Sequence, residues 1–257
     1  MESLKELYNY REMLSNLVKK DLRTRYKGSV LGFFWTFLNP LLQLLVYTLV
    51  FSVILKSDVP NYYIHLFVAL VPWLFFSTSL TASSTSIVGN KDLIKKIYFP
   101  RIIMPMAVVN GAFMNMLFTM IVVFFVLMFS GIGISKYIVL LPVIMLLEYL
   151  LALGFSFVVS ALNVYFRDLE HILGILTMAW MYATPVLYSI DLVPDRMKGI
   201  FNLNPMTPIV AAFRDILYYQ KMPDLSHMGL ILFWSIAFIV LGYFIFEKLQ
   251  KGFVEEL

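Results

Sequence analysis

The sequence predicts an all-α integral membrane protein with six transmembrane helices, an N-terminal amphipathic helix at the membrane interface and an external re-entrant helical hairpin. Two observations lead to this fold class. Of the 257 residues, 60% are apolar and only 14% are charged, whereas about a quarter of a soluble protein is charged. The chain also contains six long stretches almost free of Asp, Glu, Lys and Arg, and a membrane-spanning helix needs about 20 such residues.

Residues 1–27 precede the first apolar stretch and are predicted to form the interface helix. Apolar side chains recur there at helical spacing and leave basic side chains on the other face, a pattern typical of helices that lie along lipid headgroups. No apolar core lies near the start, so we expect no cleavable secretory signal. The basic residues of segment 19–27 would attract phosphate headgroups. Orientation of the first span alone would also explain them.

A single transmembrane domain, residues 1–257, is expected. Both termini lie on one side of the membrane because the number of spans is even, and most of the 20 Lys and Arg residues fall on that same side. Since loops rich in Lys and Arg stay in the cytoplasm, both termini are predicted to be cytoplasmic. The predicted spans are residues 31–55, 62–85, 104–129, 140–164, 171–189 and 227–247.

The segment 191–224 is predicted to form the external re-entrant hairpin. It is too polar for a simple span and too rich in proline for one helix. Thr207 and Pro208 resemble a helix start, because a hydroxyl can cap the helix and proline suits its first position. The helix that follows is too short to cross a bilayer and carries Arg214.

The loop between the second and third spans carries an informative pattern. Asn90 can cap a helix and Pro100 can end it, and the residues between them combine an apolar stripe with several lysines. A loop that only supplied positive charge would not need the stripe. The pattern therefore favours docking against the membrane surface or a partner protein.

Small residues predict two places of close helix packing. Gly28 and Gly32 form a Gly-x-x-x-Gly pattern, and Ala152, Ser156 and Ser160 repeat a small residue every four positions. Small side chains let membrane helices approach each other closely.

Glu148 is the only Asp, Glu, Lys or Arg within the six charge-poor stretches. A charge at the bilayer centre costs at least about 2.5 kcal/mol. If the fourth span begins near residue 145, Glu148 lies in its outer turn at the interface, which we favour. A carboxylate facing a pore is the alternative.

The sequence carries no motif for covalent chemistry or metal binding. It has no Cys, its three His residues are far apart, and neither a phosphate-binding loop nor a nucleophile elbow occurs. The largest cytoplasmic piece is also too small for an ATPase domain. We therefore expect that the chain is not an enzyme by itself, binds no metal or cofactor, and depends on another chain for any ATP hydrolysis.

Four motifs, in the same order along the chain, resemble those of one known family. They are RYKGSVLGFFW (residues 25–35), the loop segment 90–105, NVYFRDL (residues 163–169) and TPVLYS (residues 184–189) with the segment that follows it. These motifs are similar to those of the permease subunits of ABC exporters for polysaccharides and polyol phosphates. The resemblance covers essentially the whole chain.

The resemblance implies a homodimer in the bacterial cytoplasmic (inner) membrane, bound to two copies of a nucleotide-binding ATPase subunit. ATP and Mg would be held by the ATPase subunits and not by this chain. The family moves O-antigen, capsule polymer or teichoic acid, usually as a glycopolymer linked to undecaprenyl diphosphate or another lipid. Membrane lipid is the remaining partner, and nucleic acid is not expected.

The resemblance also implies roles for individual residues. A coupling helix seated in the ATPase would comprise Lys91, Asp92, Leu93, Ile94, Lys95, Lys96, Ile97, Tyr98 and Phe99, with Arg167 and Asp168 in a second contact. The lipid-linked phosphate would enter at Arg23, Arg25 and Lys27. The channel aromatics would be Phe34, Trp35, Trp73 and Phe76. The external gate would include Asn204, Pro205, Phe213 and Arg214.

Three other functions are alternatives to the exporter. An exporter of a small lipid or drug would use the same scaffold. An ion-coupled secondary transporter would more often carry charges inside its spans, and Glu148 is the one candidate. A membrane transferase would need an acid–base pair on one aqueous side, for which Asp191, Asp195 and Asp215 are available.

Overall fold

The computed structural model describes residues 2–26, 28–50 and 59–257, and no strand occurs within these ranges. Short 3₁₀ turns join several of the α-helices. The α-helices of the described ranges are α1 (Glu2–Asn9), α2 (Arg11–Tyr26), α3 (Trp35–Thr48), α4 (Tyr62–Ser84), α5 (Lys91–Lys96), α6 (Ile103–Phe129), α7 (Leu141–Tyr165), α8 (Leu169–Tyr182), α9 (Asp195–Leu203), α10 (Met206–Leu217), α11 (Leu225–Leu249) and α12 (Phe253–Glu256).

Four of these helices, α4, α6, α7 and α11, are long and apolar enough to cross a membrane. They coincide with the second, third, fourth and sixth predicted spans, so the prediction of an all-helical multi-pass protein is confirmed. The first and fifth predicted spans correspond to α3 and α8, which have 14 residues each. The end of the first predicted span, residues 51–55, lies outside the described residues.

Helix α4 forms the centre of the bundle. It packs against α3, α6, α7, α8 and α10, and nearly all of its side chains are buried. A helix that is apolar on every side must be surrounded by other helices or lipid, and here neighbouring helices surround it. The Ser156 hydroxyl of α7 donates a hydrogen bond to the Ser79 carbonyl of α4 at 3.3 Å. Ala152 and Ser160 are also buried on α7, which agrees with the predicted close packing of this small-residue face.

The closest approach of two helices joins α7 and α11 at Gly154 and Gly242. A Cβ atom at Gly154 would overlap the backbone of Phe238, and one at Gly242 would overlap the backbone of Gly154. Backbone contact of this kind strengthens dispersion attraction where no hydrophobic effect drives helices together.

The predicted packing role of Gly28 and Gly32 is wrong. Both glycines lie between α2 and α3, with φ angles of 81° and 48°. Residues with a Cβ atom rarely adopt such angles. These glycines therefore turn the chain into α3 and do not form a helix-packing face.

Glu148 does not lie in an exposed outer turn. Helix α7 begins at Leu141, so Glu148 lies about 10 Å along its axis at 1.5 Å per residue. Its side chain is fully buried, and neither carboxylate oxygen has a hydrogen-bond partner among the described residues. The favoured interfacial position is therefore wrong, and within this protomer the carboxyl group does not face an open pore either.

We predict that Gly154→Ala destabilises the protein, because its methyl group requires α7 and α11 to separate. Overpacking of this kind costs about 2 kcal/mol or more. The Tm of the purified protein should fall clearly. It is measured by heating samples and quantifying the protein that remains folded by size-exclusion chromatography.

The matched control is Gly174→Ala in α8, where no atom lies within 4 Å of the added Cβ. This variant should keep or slightly raise the Tm, because alanine favours helix. Equal Tm values for the two variants would contradict the packing assignment.

Candidate functional sites at the two ends of the bundle

Arg214 organises one end of the bundle, which we call the hairpin end because α9 and α10 lie there. The Arg214 guanidinium is buried, and it donates hydrogen bonds to four backbone carbonyls. Its Nε reaches His65 at 3.2 Å, Nη1 reaches Pro185 at 2.5 Å and Tyr188 at 3.1 Å, and Nη2 reaches Val186 at 2.6 Å.

The sequence explains why these carbonyls need a side-chain donor. Helix α8 ends at Tyr182 shortly before Pro185, which lacks an N–H and disfavours helix at the residue before it. Carbonyls outside a helix must find donors when they are buried. A guanidinium carries five N–H donors in one plane, so Arg214 satisfies the Pro185, Val186 and Tyr188 carbonyls and ties this turn to α4.

Asn204 joins the end of α8 to the start of α10. Its Oδ1 accepts hydrogen bonds from the Trp180 indole at 2.9 Å and from the Met206 N–H at 3.0 Å. Its Nδ2 donates to the Ala183 carbonyl at 3.0 Å and to the Thr184 hydroxyl at 2.8 Å. The helix therefore starts at Met206 with Asn204 satisfying its first N–H.

Thr207 does not cap α10, contrary to the sequence-based expectation. Its hydroxyl has no hydrogen-bond partner among the described residues. The helix begins at Met206, so Pro208 is its third residue and not its first. The amide of Asn204 reaches the first N–H and leaves the Thr207 hydroxyl free of a capping role.

The neighbouring residues Arg214 and Asp215 of α10 are both buried. Burial lowers the pKa of Arg214 to about 10, so the guanidinium stays charged at neutral pH. Asp215 forms an ion pair with Lys221 at 3.2 Å. Burial raises the pKa of Asp215, and Lys221 opposes that rise.

The four predicted gate residues belong to one segment of the hairpin. Pro205 and Phe213 are buried beside Asn204 and Arg214 on α10 or directly before it. The Tyr218 hydroxyl, just after α10, donates to the Pro60 carbonyl at 2.5 Å. The hairpin is thus bound to α4, to the segment before it and to the end of α8.

The opposite end of the bundle, which we call the α5 end, carries the predicted docking loop. Helix α5 ends at Lys96, because Ile97 has extended backbone angles. The helix is therefore shorter than the predicted coupling helix that ran to Phe99. Ile94 and Phe99 are buried anchors, whereas Ile97 and Tyr98 are 55% and 82% exposed.

The remaining residues of the docking loop also divide into buried and exposed side chains. Leu93 is half-buried, and its polar neighbours face the surface. These exposed neighbours are Lys91, Asp92, Lys95 and Lys96, with Asn90 half-buried before them. The loop thus combines a buried attachment with an exposed basic and apolar surface.

Contacts from three parts of the chain hold this loop. The Tyr10 hydroxyl donates to the Tyr98 carbonyl at 3.2 Å, and Arg101 donates to the Gln250 carbonyl after α11. A cavity of about 510 Å³ lies between α1, the loop and the end of α11. Arg167 and Asp168 are exposed in the turn between α7 and α8. They lie at this same end, because the hydroxyl of nearby Tyr165 donates to Leu249 at 2.7 Å.

Basic residues of α2 line a groove next to the start of α3. Lys19, Lys20 and Arg23 face Phe33 across this groove of about 920 Å³. Lys27 lies outside the described residues, and so does the side chain of Arg25. The structure therefore places one of the three predicted phosphate-binding residues in the groove, with two lysines that were not named for that role.

A polar cleft lies between α3, α4 and α6. It has a volume of about 220 Å³ and is lined by Trp35, Asn39, Gln43 and Asn115, among others. Asn39 and Gln43 lie four residues apart on α3 and are exposed in the protomer. Sequence reasoning missed this pair, although two amides at helical spacing in an apolar span are a visible signal.

The four predicted channel aromatics do not share one surface. Phe34 is exposed and Trp35 lines the cleft. Trp73 and Phe76 are buried inside the protomer, where the Phe76 ring lies 5.2 Å from the Trp180 ring. Of the four, only Phe34 and Trp35 therefore lie at the surface beside α3.

These features define a class of protein. The described residues form a multi-pass helical membrane protein with a polar cleft between apolar helices and an exposed docking loop. They contain no cluster of His, Asp or Glu that could hold a metal ion.

The chain belongs to the ABC-2 type transporter family, whose profile matches residues 13–218. It is 35% identical over 256 residues to the O-antigen export system permease protein RfbA of Myxococcus xanthus, covering 99% of this chain and 98% of that protein. It is 32% identical over 259 residues to RfbA of Klebsiella pneumoniae, covering 99% and 100%. The capsule polysaccharide export inner-membrane protein CtrC of Neisseria meningitidis is 19% identical over 97% of this chain and 95% of its own length.

The family resemblance inferred from the four motifs is therefore confirmed. Together, the family and the four apolar helices identify an inner-membrane multi-pass protein.

We predict that Arg214→Lys destabilises the hairpin end. Lysine keeps the charge but cannot reach four carbonyls in one plane, and each buried acceptor left without a donor costs about 1–3 kcal/mol. The Tm of the purified protein should fall by an amount similar to that of Gly154→Ala.

The control is Arg196→Lys, which makes the same change at an exposed position of α9. It should leave the Tm unchanged. If Arg214→Lys also left the Tm unchanged, the guanidinium would not be the element that holds the turn.

Proposed function

We propose that this chain is the membrane-spanning permease of an ATP-driven exporter that moves lipid-linked polysaccharide across the inner membrane. The observation that carries the proposal is similarity along the whole chain to O-antigen export permeases, at 35% and 32% identity. The substrate would be an O-antigen-like polymer or a teichoic acid on a lipid carrier. The chain itself would perform no covalent chemistry.

The proposed topology has six spans with both termini in the cytoplasm. Helices α3 and α8 supply the first and fifth spans. Helix α8 is about 21 Å long at 1.5 Å per residue, shorter than a hydrocarbon core of about 30 Å. The hairpin of α9 and α10 would re-enter the membrane from outside and complete this span. Lysines of the α5 end support a cytoplasmic position for that end.

The amphipathic arm of α1 and α2 would lie at the cytoplasmic membrane surface. Its groove of Lys19, Lys20 and Arg23 would receive the phosphate of the lipid carrier, with Arg25 and Lys27 continuing the basic segment. Each cation near the surface attracts anionic groups by about 1 kcal/mol. The bulky Phe33 opposite these cations offers an apolar wall for the lipid chain.

A second copy of the chain would cover the exposed face of α3. Asn39 and Gln43 are exposed on this helix, and polar side chains in lipid face a protein interior or a water-filled cavity. A homodimer that encloses a channel beside α3 satisfies both amides. Phe34 and Trp35 would line this channel. Trp73 and Phe76 would not, because they are buried inside the bundle.

The α5 loop would couple the permease to two ATPase subunits. Ile97 and Tyr98 offer an exposed apolar surface, while Ile94 and Phe99 anchor the loop in the bundle. An anchored loop transmits force, because its buried side chains move with the helices around them. Arg167 and Asp168 would form the second contact at the same end. ATP and Mg would be bound by the ATPase subunits.

The transport cycle would begin when ATP binding closes the two ATPase subunits against each other. The α5 loops would move with them and shift the helices of the bundle between two packings. The hairpin would then act as the external gate. Because Arg214 and Asn204 tie the turns of the hairpin together, the gate would move as one unit.

We predict that Ile97→Asp abolishes coupling without unfolding the permease. A carboxylate at the centre of an apolar contact is desolvated without a partner, so the co-produced ATPase subunit from the same organism should co-purify at least about tenfold less. Export of the polymer to the cell surface should stop.

Val254→Asp is the matched control. Val254 is a branched aliphatic residue on α12 at the same end, and it is 53% exposed, close to the 55% of Ile97. This variant should retain the ATPase and export. Normal retention of the ATPase by Ile97→Asp would contradict a coupling role for the loop.

The topology can be tested with cysteine labelling because the chain has no native Cys. We predict that Ile200→Cys, exposed in α9, reacts with a membrane-impermeant maleimide on intact spheroplasts. Tyr98→Cys should react only after the membrane is permeabilised, and the unmodified chain should not react. Labelling of Tyr98→Cys on intact spheroplasts would reverse the proposed orientation.

A further inference from the structure

A separate cavity lies at the hairpin end, between the start of α4 and the hairpin. Its volume is about 380 Å³, within the range of about 300–1,000 Å³ that small-molecule sites occupy. Buried His65, Thr207 and Arg214 form its floor, and exposed Tyr219 and Lys221 form its mouth. The cavity therefore opens beside α10 and reaches the backbone network of the hairpin.

The cavity holds an unusual set of buried polar atoms. His65 is 1% exposed and Thr207 is 3% exposed. Neither ring nitrogen of His65 nor the hydroxyl of Thr207 has a hydrogen-bond partner among the described residues, and neither does Nδ1 of His227. Buried polar side chains nearly always have partners. Buried His65 and Thr207, together with the buried Nδ1 atom of half-buried His227, line one cavity and indicate that the partner occupies the cavity.

The charges around the cavity do not favour an anion or a cation. The Arg214 guanidinium is engaged by four carbonyls, and Lys221 is paired with Asp215. Asp224 accepts a hydrogen bond from the Ser226 N–H at 3.0 Å and so caps α11. Two charges of each sign are thus already committed within the protein.

The unpaired atoms therefore select a neutral ligand that can both donate and accept hydrogen bonds. Imidazole presents one donor and one acceptor, and a hydroxyl presents both. Several hydroxyl groups on one small molecule match this set. The Tyr219 ring at the mouth adds an apolar face against which a sugar ring can lie.

We propose that this cavity binds one neutral sugar residue at the outer side of the gate. The inference rests on the proposed function, which supplies the polysaccharide and the orientation. Thr207 and Arg214 belong to α10, whereas His65 belongs to α4. A bound sugar would therefore contact the hairpin and the central helix together, and its binding would favour one position of the gate.

The test uses the full-length chain in lipid nanodiscs and saturation-transfer NMR. The neutral probes are the methyl glycosides of mannose, galactose and glucose, and the anionic probes are glucuronic acid and inorganic phosphate. We expect at least one neutral glycoside to bind. Thr207→Val should weaken that binding about five-fold through loss of one hydrogen bond, and Thr207→Ser should restore it.

Thr81→Val is the matched control, because the Thr81 hydroxyl bonds to the Ser77 carbonyl within α4, away from this cavity. It should leave binding unchanged. Tyr219→Ala removes an exposed ring at the mouth of the cavity. It serves as a second cavity variant if Thr207→Val does not fold. It should also weaken binding.

Three results would overturn the inference: no binding of any neutral glycoside, binding that both cavity variants leave unchanged, or stronger binding of glucuronic acid or phosphate. The assay needs no ATPase, so the two proposals fail separately. If the chain exports polymer with an ATPase subunit but binds no glycoside, the sugar site is wrong and the exporter proposal stands. If the chain binds a glycoside but recruits no ATPase subunit, the exporter proposal is wrong and the sugar site stands.

Discussion

The demand for internal hydrogen-bond donors governs the hairpin end. Buried carbonyl groups that leave helical geometry must find hydrogen-bond donors within the protein. The chain leaves the helix after Tyr182, and Arg214 supplies donors to Pro185, Val186 and Tyr188. The same guanidinium also bonds to His65 on α4. One side chain thereby allows α8 to end early and the hairpin to fold against the bundle.

Close helix packing provides the frame on which this network rests. Helices α7 and α11 meet through the backbone at Gly154 and Gly242, and α4 lies in the middle of its neighbours. The face of α3 with Asn39 and Gln43 is left uncovered. Under the proposed function, a second copy of the chain or a polar substrate would cover this face.

Helix α4 connects the two functional ends. Its first turns hold the His65 carbonyl that Arg214 contacts, and its last residue lies a few positions before the α5 loop. A helix of 23 residues is about 34 Å long at 1.5 Å per residue. Under the proposed function, displacement of the loop by the ATPase would reach the gate through this helix, and a sugar in the outer cavity would act on the same element.

The sequence by itself determined the four long apolar helices, the family, and the positions of the short helix α5 and of the proline-rich segment after α8. Each depends on local properties: apolar length, proline and capping positions, and short motifs. Tertiary structure decided what each residue faces. Trp73 and Phe76 are buried because α4 is apolar on every side, so its pattern carries no information on its rotation.

The burial of Glu148 and the loss of a capping role for Thr207 were also invisible in the sequence. Arg214 and its partner His65 are 149 residues apart, and their contact exists only once α10 packs on α4. Local pattern specifies where helices form, whereas their rotation and contacts follow from packing between distant segments, and that packing creates the sites.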